Sequence, residues 1–179
     1  ISTFQGDTGF EFRKQWQKLV ESSNATKLTG LILDLRSNPG GLVTAAVDLA
    51  DEFLAEVVIV SIKGRNALTN TTYYGKPDQS FEGVKVLVLI DAGSASASEI
   101  LAGALQDHQR ATIMGSRSFG KGSVQNVFYL DNGDAFKITT ARYYTPNNRS
   151  IQAQGIVPDV LLEGNGKAGY TEKDLPKHI

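Results

Sequence analysis

The amino-acid sequence predicts an α/β protein built from repeated strand–turn–helix units. Two segments, 30–54 and 84–109, each read as an apolar strand, a turn of small residues and an amphipathic helix. Apolar strands that alternate with helices are typical of a parallel sheet with covered faces. A third observation adds a β-hairpin to this plan, because Asn132-Gly133 lies between two strand-like runs.

The first half of the chain is predicted to hold two helices and two main strands. Residues 8–23 place Phe12, Trp16, Leu19 and Val20 on one helical face, with Asp7 as the N-cap. The apolar run 30–35 predicts a strand buried on both faces. The elements that follow are a turn at 36–41, a helix at 42–54, a strand at 57–62 and a hairpin or surface excursion at 64–83.

The second half repeats the unit and then turns to antiparallel strands. In order, the predicted elements are a strand at 84–90, a turn at 93–98, a helix at 99–109, a short strand at 112–114, a glycine-rich loop at 115–122, hairpin strands at 123–130 and 135–144, and a last strand at 157–162. The tail from Tyr170 predicts a short helix ended by Pro176. We expect a single folded domain over residues 1–162 and a flexible C-terminal extension over residues 163–179.

Composition excludes several classes of function. The 179 residues suffice for one domain with a sizeable core, and the net charge of −1 provides no basic field for nucleic acid or anionic lipid. No cysteine is present, which excludes disulfides, thiolate metal sites and a cysteine nucleophile. No apolar run of about 18 residues predicts a membrane span. The strand-like opening at 1–4, with no targeting segment before it, indicates a fragment of a longer precursor.

The two small-residue turns are where chemistry is expected. If their strands are neighbours, the turns at 36–41 and 93–98 lie on the same edge of the sheet, with main-chain N–H groups and helix N-termini pointing outward. One turn could then present a nucleophile while the other donates N–H groups to an oxyanion. The alternative is that both turns are ordinary connections.

Ser96 has two interpretations. With Glu99 it fits a capping box, in which the two side chains satisfy N–H groups of the helix start. It also fits a nucleophile at a helix N-terminus, which needs a base. His108 lies twelve residues further along the predicted helix, about 18 Å along its axis, and cannot reach. His178 is next to the C-terminus and is expected in solvent, so the sequence argues against a Ser-His-Asp triad and against a histidine-rich metal site.

The remaining candidate base is Lys121, which stands among Phe119, Gly120 and Gly122 rather than on a charged helix face. A lysine acts as a base only when deprotonated, which requires apolar, water-poor surroundings. The alternative is a solvated loop lysine.

The segment around Lys121 also matches two other motifs. Residues 115–121 fit the first seven positions of a P-loop, but Gly122 replaces the magnesium-binding Ser or Thr and a strand follows instead of a helix. Ser118 and Lys121 fit the Ser-x-x-Lys motif, but that motif needs a helix, which the glycines oppose.

Three motifs together resemble one family. In chain order they are Asp34-Leu35-Arg36-Ser37-Asn38-Pro39-Gly40-Gly41, Gly93-Ser94-Ala95-Ser96-Ala97-Ser98-Glu99-Ile100 and Gly115-Ser116-Arg117-Ser118-Phe119-Gly120-Lys121-Gly122-Ser123-Val124-Gln125. Over roughly residues 1–162 the chain resembles the carboxy-terminal processing proteases, the tail-specific peptidases of family S41. The resemblance implies a crotonase/ClpP-like α/β core, no cofactor, and a Ser/Lys endopeptidase that cleaves protein substrates near apolar C-termini.

The resemblance also implies roles for individual residues. Ser96 is the nucleophile, Lys121 the general base, and Gln125 the residue that orients the lysine. The oxyanion hole is formed by the Ala97 amide together with an amide from Gly40 or Gly41. Asp107 matches a position important in some members, and we expect it to have a structural role near the site.

Partners and location follow from the resemblance alone. Family members usually carry a substrate-binding PDZ domain ahead of the core, and we expect this chain to be the core without it. A periplasmic or otherwise extracytoplasmic location and a possible homo-oligomer are implied as well. The alternative function is a non-catalytic peptide- or ligand-binding module, because the retinoid-binding repeats of the photoreceptor matrix resemble the same fold.

Overall fold

The computed structural model describes residues 1–23, 28–77, 81–162 and 170–176. In these ranges, the helices are α1 (Thr8–Ser22), α2 (Val43–Asp51) and α3 (Ala97–Asp107). The strands are β1 (Gly30–Asp34), β2 (Val58–Gly64), β3 (Thr71–Tyr74), β4 (Lys85–Ile90), β5 (Ala111–Gly115), β6 (Ser123–Tyr129), β7 (Ala135–Tyr144) and β8 (Val160–Leu161). Single 3-10 turns lie at Ala67–Thr69 and Glu172–Asp174.

One sheet is wholly parallel and carries the repeated units. Its strand order is β1-β4-β5-β8, and each neighbouring pair runs in the same direction. The units β1–α2 and β4–α3 therefore end their strands at a common edge. The mixed α/β class, with strand–turn–helix units and an added hairpin, is confirmed.

The second sheet is antiparallel, in the order β3-β2-β7-β6. The predicted hairpin at 123–144 is its β6–β7 pair. The polar stretch at 64–83 contributes β3, which pairs with β2 as a hairpin. Helix α3 contacts α2, β5 of the first sheet and β2 of the second, so it links the two sheets. Every residue from Ala97 to Leu105 is buried.

An aromatic cluster closes the core beneath α1. The Phe81 ring lies with its centroid 4.8 Å from that of Trp16, 4.9 Å from that of Phe53 and 5.4 Å from that of Phe12. Phe53 and Phe81 are each 1% exposed. The part of the predicted apolar face that holds Phe12 and Trp16 therefore packs on the core, whereas Leu19 and Val20, predicted on the same face, are 55% and 39% exposed.

Three sequence predictions need correction. The strand β1 is not buried on both faces: it is the edge strand of its sheet, and Ile32 is 66% exposed. The last strand shrinks to Val160–Leu161, and before it the carboxylate of Asp159 accepts the N–H of Ile113. Helix α2 ends at Asp51, three residues before the predicted end. The other helices and strands agree with prediction to within two residues.

Part of the predicted C-terminal extension packs on the core. The N–H of Glu172 donates to the carbonyl of Phe119 at 2.9 Å. The short helix predicted from Tyr170 is a single 3-10 turn that ends before Pro176. The rest of the extension, including His178, lies outside the described residues.

We expect Phe81→Ala to destabilise the fold by about 3–5 kcal/mol, the usual cost of removing a buried phenylalanine. The loss arises because three aromatic neighbours lose contacts that no rearrangement of α1 restores. Urea unfolding measures it, with Phe10→Ala on the exposed face of α1 (59% exposed) as the control, expected within about 0.5 kcal/mol of the parent. Equal effects of the two substitutions would contradict this packing.

Candidate active site

The parallel pairing of β1 and β4 brings two turns together at one edge of the sheet. The two strands are paired along the whole of β1. Beyond them, the Oδ1 atom of Asp91 accepts the N–H groups of Ser37 and Gly93, each at 2.8 Å. The expectation that the turns at 36–41 and 93–98 share an edge is confirmed.

A fully buried asparagine fastens the first turn to the second. The carbonyl of Asn38 accepts the Ala95 N–H and the Ser98 hydroxyl, both at 3.0 Å. Its side-chain Oδ1 accepts the Gly40 N–H at 2.8 Å, and its Nδ2 donates to the carbonyl of Ile1 at 3.0 Å. The Gly40 N–H is therefore already occupied.

Both glycines of the first turn are required by close contacts. At Gly40 the backbone has φ +101°, and a Cβ would lie 2.7 Å from the Ala95 carbonyl oxygen and 2.9 Å from the Ala97 nitrogen. At Gly41, with φ +140°, a Cβ would lie 2.1 Å from the Phe4 carbonyl oxygen. Only glycine lets this turn rest against the start of α3.

Ser96 lies between the turn after β4 and the first residue of α3. It is half-buried and has φ +56°, which is a strained conformation for a residue with a side chain. The predicted capping box with Glu99 is present: a carboxylate oxygen of Glu99 accepts the Ser96 N–H at 2.8 Å. Ser96 thus stands at the positive end of a buried helix.

Two main-chain N–H groups near Ser96 are without a partner. Within the described residues, neither Ala97 nor Gly41 donates a hydrogen bond from its N–H. Ala97 is the first residue of α3, so it has no intrahelical acceptor. Gly41 is solvent-exposed, whereas Gly40 is buried. Of the two glycines predicted as alternatives, Gly41 is the one with an available donor.

The loop that carries Lys121 runs along the start of α3. Phe119 donates its N–H to the Ser94 carbonyl at 3.0 Å, and Ser118 donates its N–H to the Ile156 carbonyl at 3.1 Å. Residues 116–122 contain no helix and β6 follows, which confirms that neither a P-loop nor a helical Ser-x-x-Lys motif is present. The loop is extended and anchored at both ends.

Glu99 connects this loop to Ser96, a link that the sequence did not predict. Its carboxylate accepts the Gly120 N–H at 2.7 Å, the Lys121 N–H at 2.9 Å and the Ser118 hydroxyl at 2.6 Å, besides the Ser96 N–H. Burial raises the pKa of Glu99, and these four hydrogen bonds oppose that rise. The main chains of Ser96 and Lys121 therefore meet at one carboxylate.

The structure fixes the main chain of Lys121 but not its amine. Among the described residues the Lys121 Nζ makes no hydrogen bond or ion pair, so none joins it to the Ser96 hydroxyl. Gln125 is exposed on β6, directly after a bulge in the β6–β7 pairing, and no hydrogen bond links it to Lys121 in the described ranges.

Asp107 and His108 lie at the far end of α3. Asp107 accepts the Asn147 N–H at 2.8 Å and pairs with Arg149, so it holds the turn after β7. Eleven residues separate it from Ser96, about 16 Å along the helix. The His108 Nε2 is 2.7 Å from the Val58 carbonyl oxygen and is directed away from Ser96, as the sequence predicted.

Two classes of site can be assessed over the described part of the chain. Its His, Asp and Glu side chains form no cluster of three or more that is placed to hold a metal ion. None of its helices has the length and apolar character that a membrane span requires.

Comparison with known proteins identifies the family. Residues 1–162 match the model for Peptidase family S41, and the chain belongs to that family. It is 51% identical over 137 residues to a carboxy-terminal-processing protease of Bartonella bacilliformis, covering 76% of this chain and 32% of the relative. A carboxyl-terminal-processing protease of Synechocystis is 45% identical over 134 residues, covering 75% and 31% respectively.

A solved structure supports the same grouping. The photosystem II D1 C-terminal processing protease superposes with a TM-score of 0.82 at 35% sequence identity, covering 91% of this chain and 41% of that one. The chain spans about a third of the length of the curated relatives it matches.

We expect Gly40→Ala to displace the two turns, because the added Cβ meets main-chain atoms of Ala95 and Ala97 that cannot give way. The matched control is Gly133→Ala in the β6–β7 turn, where φ is also positive (+87°) but nothing lies within 4 Å of the added atom. Thermal unfolding should show a loss of about 1–2 kcal/mol for the control, from backbone strain alone, and a larger loss for Gly40→Ala. Equal losses for the two substitutions would contradict the close contact of residue 40 with Ala95 and Ala97.

Proposed function

We propose that this chain is the catalytic core of a serine endopeptidase of the C-terminal processing type. Its family membership and the names of its relatives support the reaction class. The observation that carries the assignment of residues is that one buried carboxylate binds the main chains of both Ser96 and Lys121. The main chains of the serine and the lysine are thereby held on the same carboxylate oxygen.

In the proposed reaction, Ser96 is the nucleophile and Lys121 the general base. The neutral Lys121 amine takes the Ser96 proton as the hydroxyl oxygen attacks the peptide carbonyl. The resulting oxyanion accepts the N–H groups of Ala97 and Gly41. The protonated lysine then gives its proton to the departing amine, which leaves an ester on Ser96, and a water molecule deprotonated by the same lysine hydrolyses that ester.

Two features favour a lysine over a histidine as the base. His108 binds the Val58 carbonyl at the far end of α3, which leaves it out of reach of Ser96. Lys121, in contrast, has an amine that no described residue holds, so it can turn to the hydroxyl without breaking an ion pair. We propose that Gln125 orients this amine once substrate is bound. Lys121 lies just before β6 and Gln125 lies near the start of that strand, so the two residues are close along the chain.

The preference for chain ends is supported by the names of the relatives, whereas the partners and the location rest on the family resemblance alone. We propose protein substrates cleaved near apolar C-termini, a PDZ domain elsewhere in the full-length protein that delivers them, assembly into a homo-oligomer and an extracytoplasmic, periplasmic site of action. The names of the bacterial relatives as processing proteases support the substrate class.

We expect Ser96→Ala and Lys121→Ala each to lower peptide cleavage by about 10³-fold or more in the full-length protein, because each removes a group used in every step. The matched control is His108→Gln, expected to keep the parent rate. Turnover of a C-terminal peptide, with circular dichroism to verify folding, measures both.

Near-parent cleavage by either of the first two variants would refute the proposed dyad. Peptide binding without turnover by the parent protein would instead favour a non-catalytic binding module of the same fold.

A further inference from the structure

The Glu99 side chain is fully buried and its carboxylate has four hydrogen-bond partners, which exceeds the needs of a helix cap. A capping glutamate has to satisfy one N–H group, here that of Ser96, and it can do so from the protein surface. Burying a carboxylate is costly unless each oxygen is well hydrogen-bonded. The three further contacts, all to residues 118–121, therefore need an explanation of their own.

All four partners of Glu99 are donors. One oxygen accepts the N–H groups of Ser96 and Lys121, and the other accepts the Gly120 N–H and the Ser118 hydroxyl. The Ser118 oxygen already accepts the Ile156 N–H at 2.6 Å, so its own hydrogen is directed to Glu99. An ionised carboxylate matches this set, because both of its oxygens only accept hydrogen bonds.

We infer that Glu99 is a positioning residue for the reaction proposed above: by holding the Ser96 and Lys121 main chains on a single oxygen, it sets the separation of nucleophile and base. The inference rests on the proposed function. Its physical basis is that Ser96 lies between β4 and α3, whereas Lys121 lies at the end of the loop that leaves β5 of the parallel sheet and enters β6 of the antiparallel sheet. The Glu99 carboxylate connects these two segments directly. Reaction rates are sensitive to displacements of about 1 Å between the reacting groups.

The substitution Glu99→Gln tests this with little change in volume. An amide has one oxygen, so its NH₂ must face two of the four donors. The favoured orientation keeps the oxygen towards Ser96 and Lys121 and turns the NH₂ to Ser118, whose hydroxyl can rotate to accept. The Gly120 N–H then meets another donor, which pushes the loop away, and the retained hydrogen bonds lose their charge assistance.

The matched control is Glu52→Gln. Glu52 is also a buried glutamate (8% exposed), but it lies at the end of α2 and pairs with Arg13, away from both turns. Four quantities are measured on the full-length protein: the melting temperature, the rate at which an activated peptide ester acylates Ser96, followed by mass spectrometry, and the kcat and KM of peptide cleavage.

We expect Glu99→Gln to lower kcat and the Ser96 acylation rate by about 10- to 100-fold, with KM within about twofold of the parent. Glu52→Gln should leave kcat, KM and the acylation rate near the parent values, at a comparable change in melting temperature. A folded Glu99→Gln protein with kcat and acylation within twofold of the parent, or with losses matched by Glu52→Gln, would overturn the inference. A parent protein that is not acylated at Ser96 would refute the proposed function itself.

If Glu99→Gln does not fold, amide hydrogen exchange in the parent protein gives the second test. A shared anchor predicts that the Ser96 and Lys121 N–H groups are both protected and open together. Fast exchange at either one, with protection at the other, would contradict the inference.

Discussion

The Glu99 carboxylate is the contact on which the geometry of the site depends. It lies in the first turn of α3, out of solvent, and connects the residue before that helix to the loop that leads into β6. Burial raises its pKa, which marks the energetic cost of keeping a charge there. Four donors offset that cost, and any motion that separates Ser96 from Lys121 forfeits part of the compensation. The main chains of Ser96 and Lys121 are therefore held together, while none of the described residues binds the lysine amine.

The fold supplies the frame for this contact. Parallel pairing of β1 and β4 puts both strand ends at one edge, and Asn38 fastens the two turns to each other. Gly40 allows the first turn to approach the main chain of Ala95 and Ala97, and Gly41 allows it to approach the main chain of Phe4. Helix α3 contributes its positive end at that point, where the proposed acyl transfer develops negative charge.

Much of this arrangement is readable from local patterns in the sequence. Apolar runs and small-residue turns predict the β1–α2 and β4–α3 units, and Asn132-Gly133 predicts the β6–β7 hairpin, because these signals depend on neighbouring residues. The edge position and partial exposure of β1 were missed, because an apolar run does not show whether a strand lies at the edge or in the middle of its sheet. The sequence also does not show that the Gly40 N–H is occupied, because its acceptor is the side chain of Asn38.

The role of Glu99 shows where sequence reasoning ends. Its spacing from Ser96 predicts a capping box, but its contacts with Ser118 and Gly120 join segments about twenty residues apart, and no periodicity signals them. The only hint was the pair of glycines around Lys121, which predicts a close main-chain approach without naming its partner. Long-range hydrogen bonds of this kind require the three-dimensional structure.

The most direct test of the account is the distance between the Ser96 Oγ and the Lys121 Nζ in a crystal structure of the full-length protein with a peptide bound. The proposed Ser/Lys dyad predicts a distance within hydrogen-bond reach, about 2.6–3.2 Å. It would be contradicted by a bound, cleavable peptide with the Lys121 amine outside that reach and a different basic side chain hydrogen-bonded to the serine.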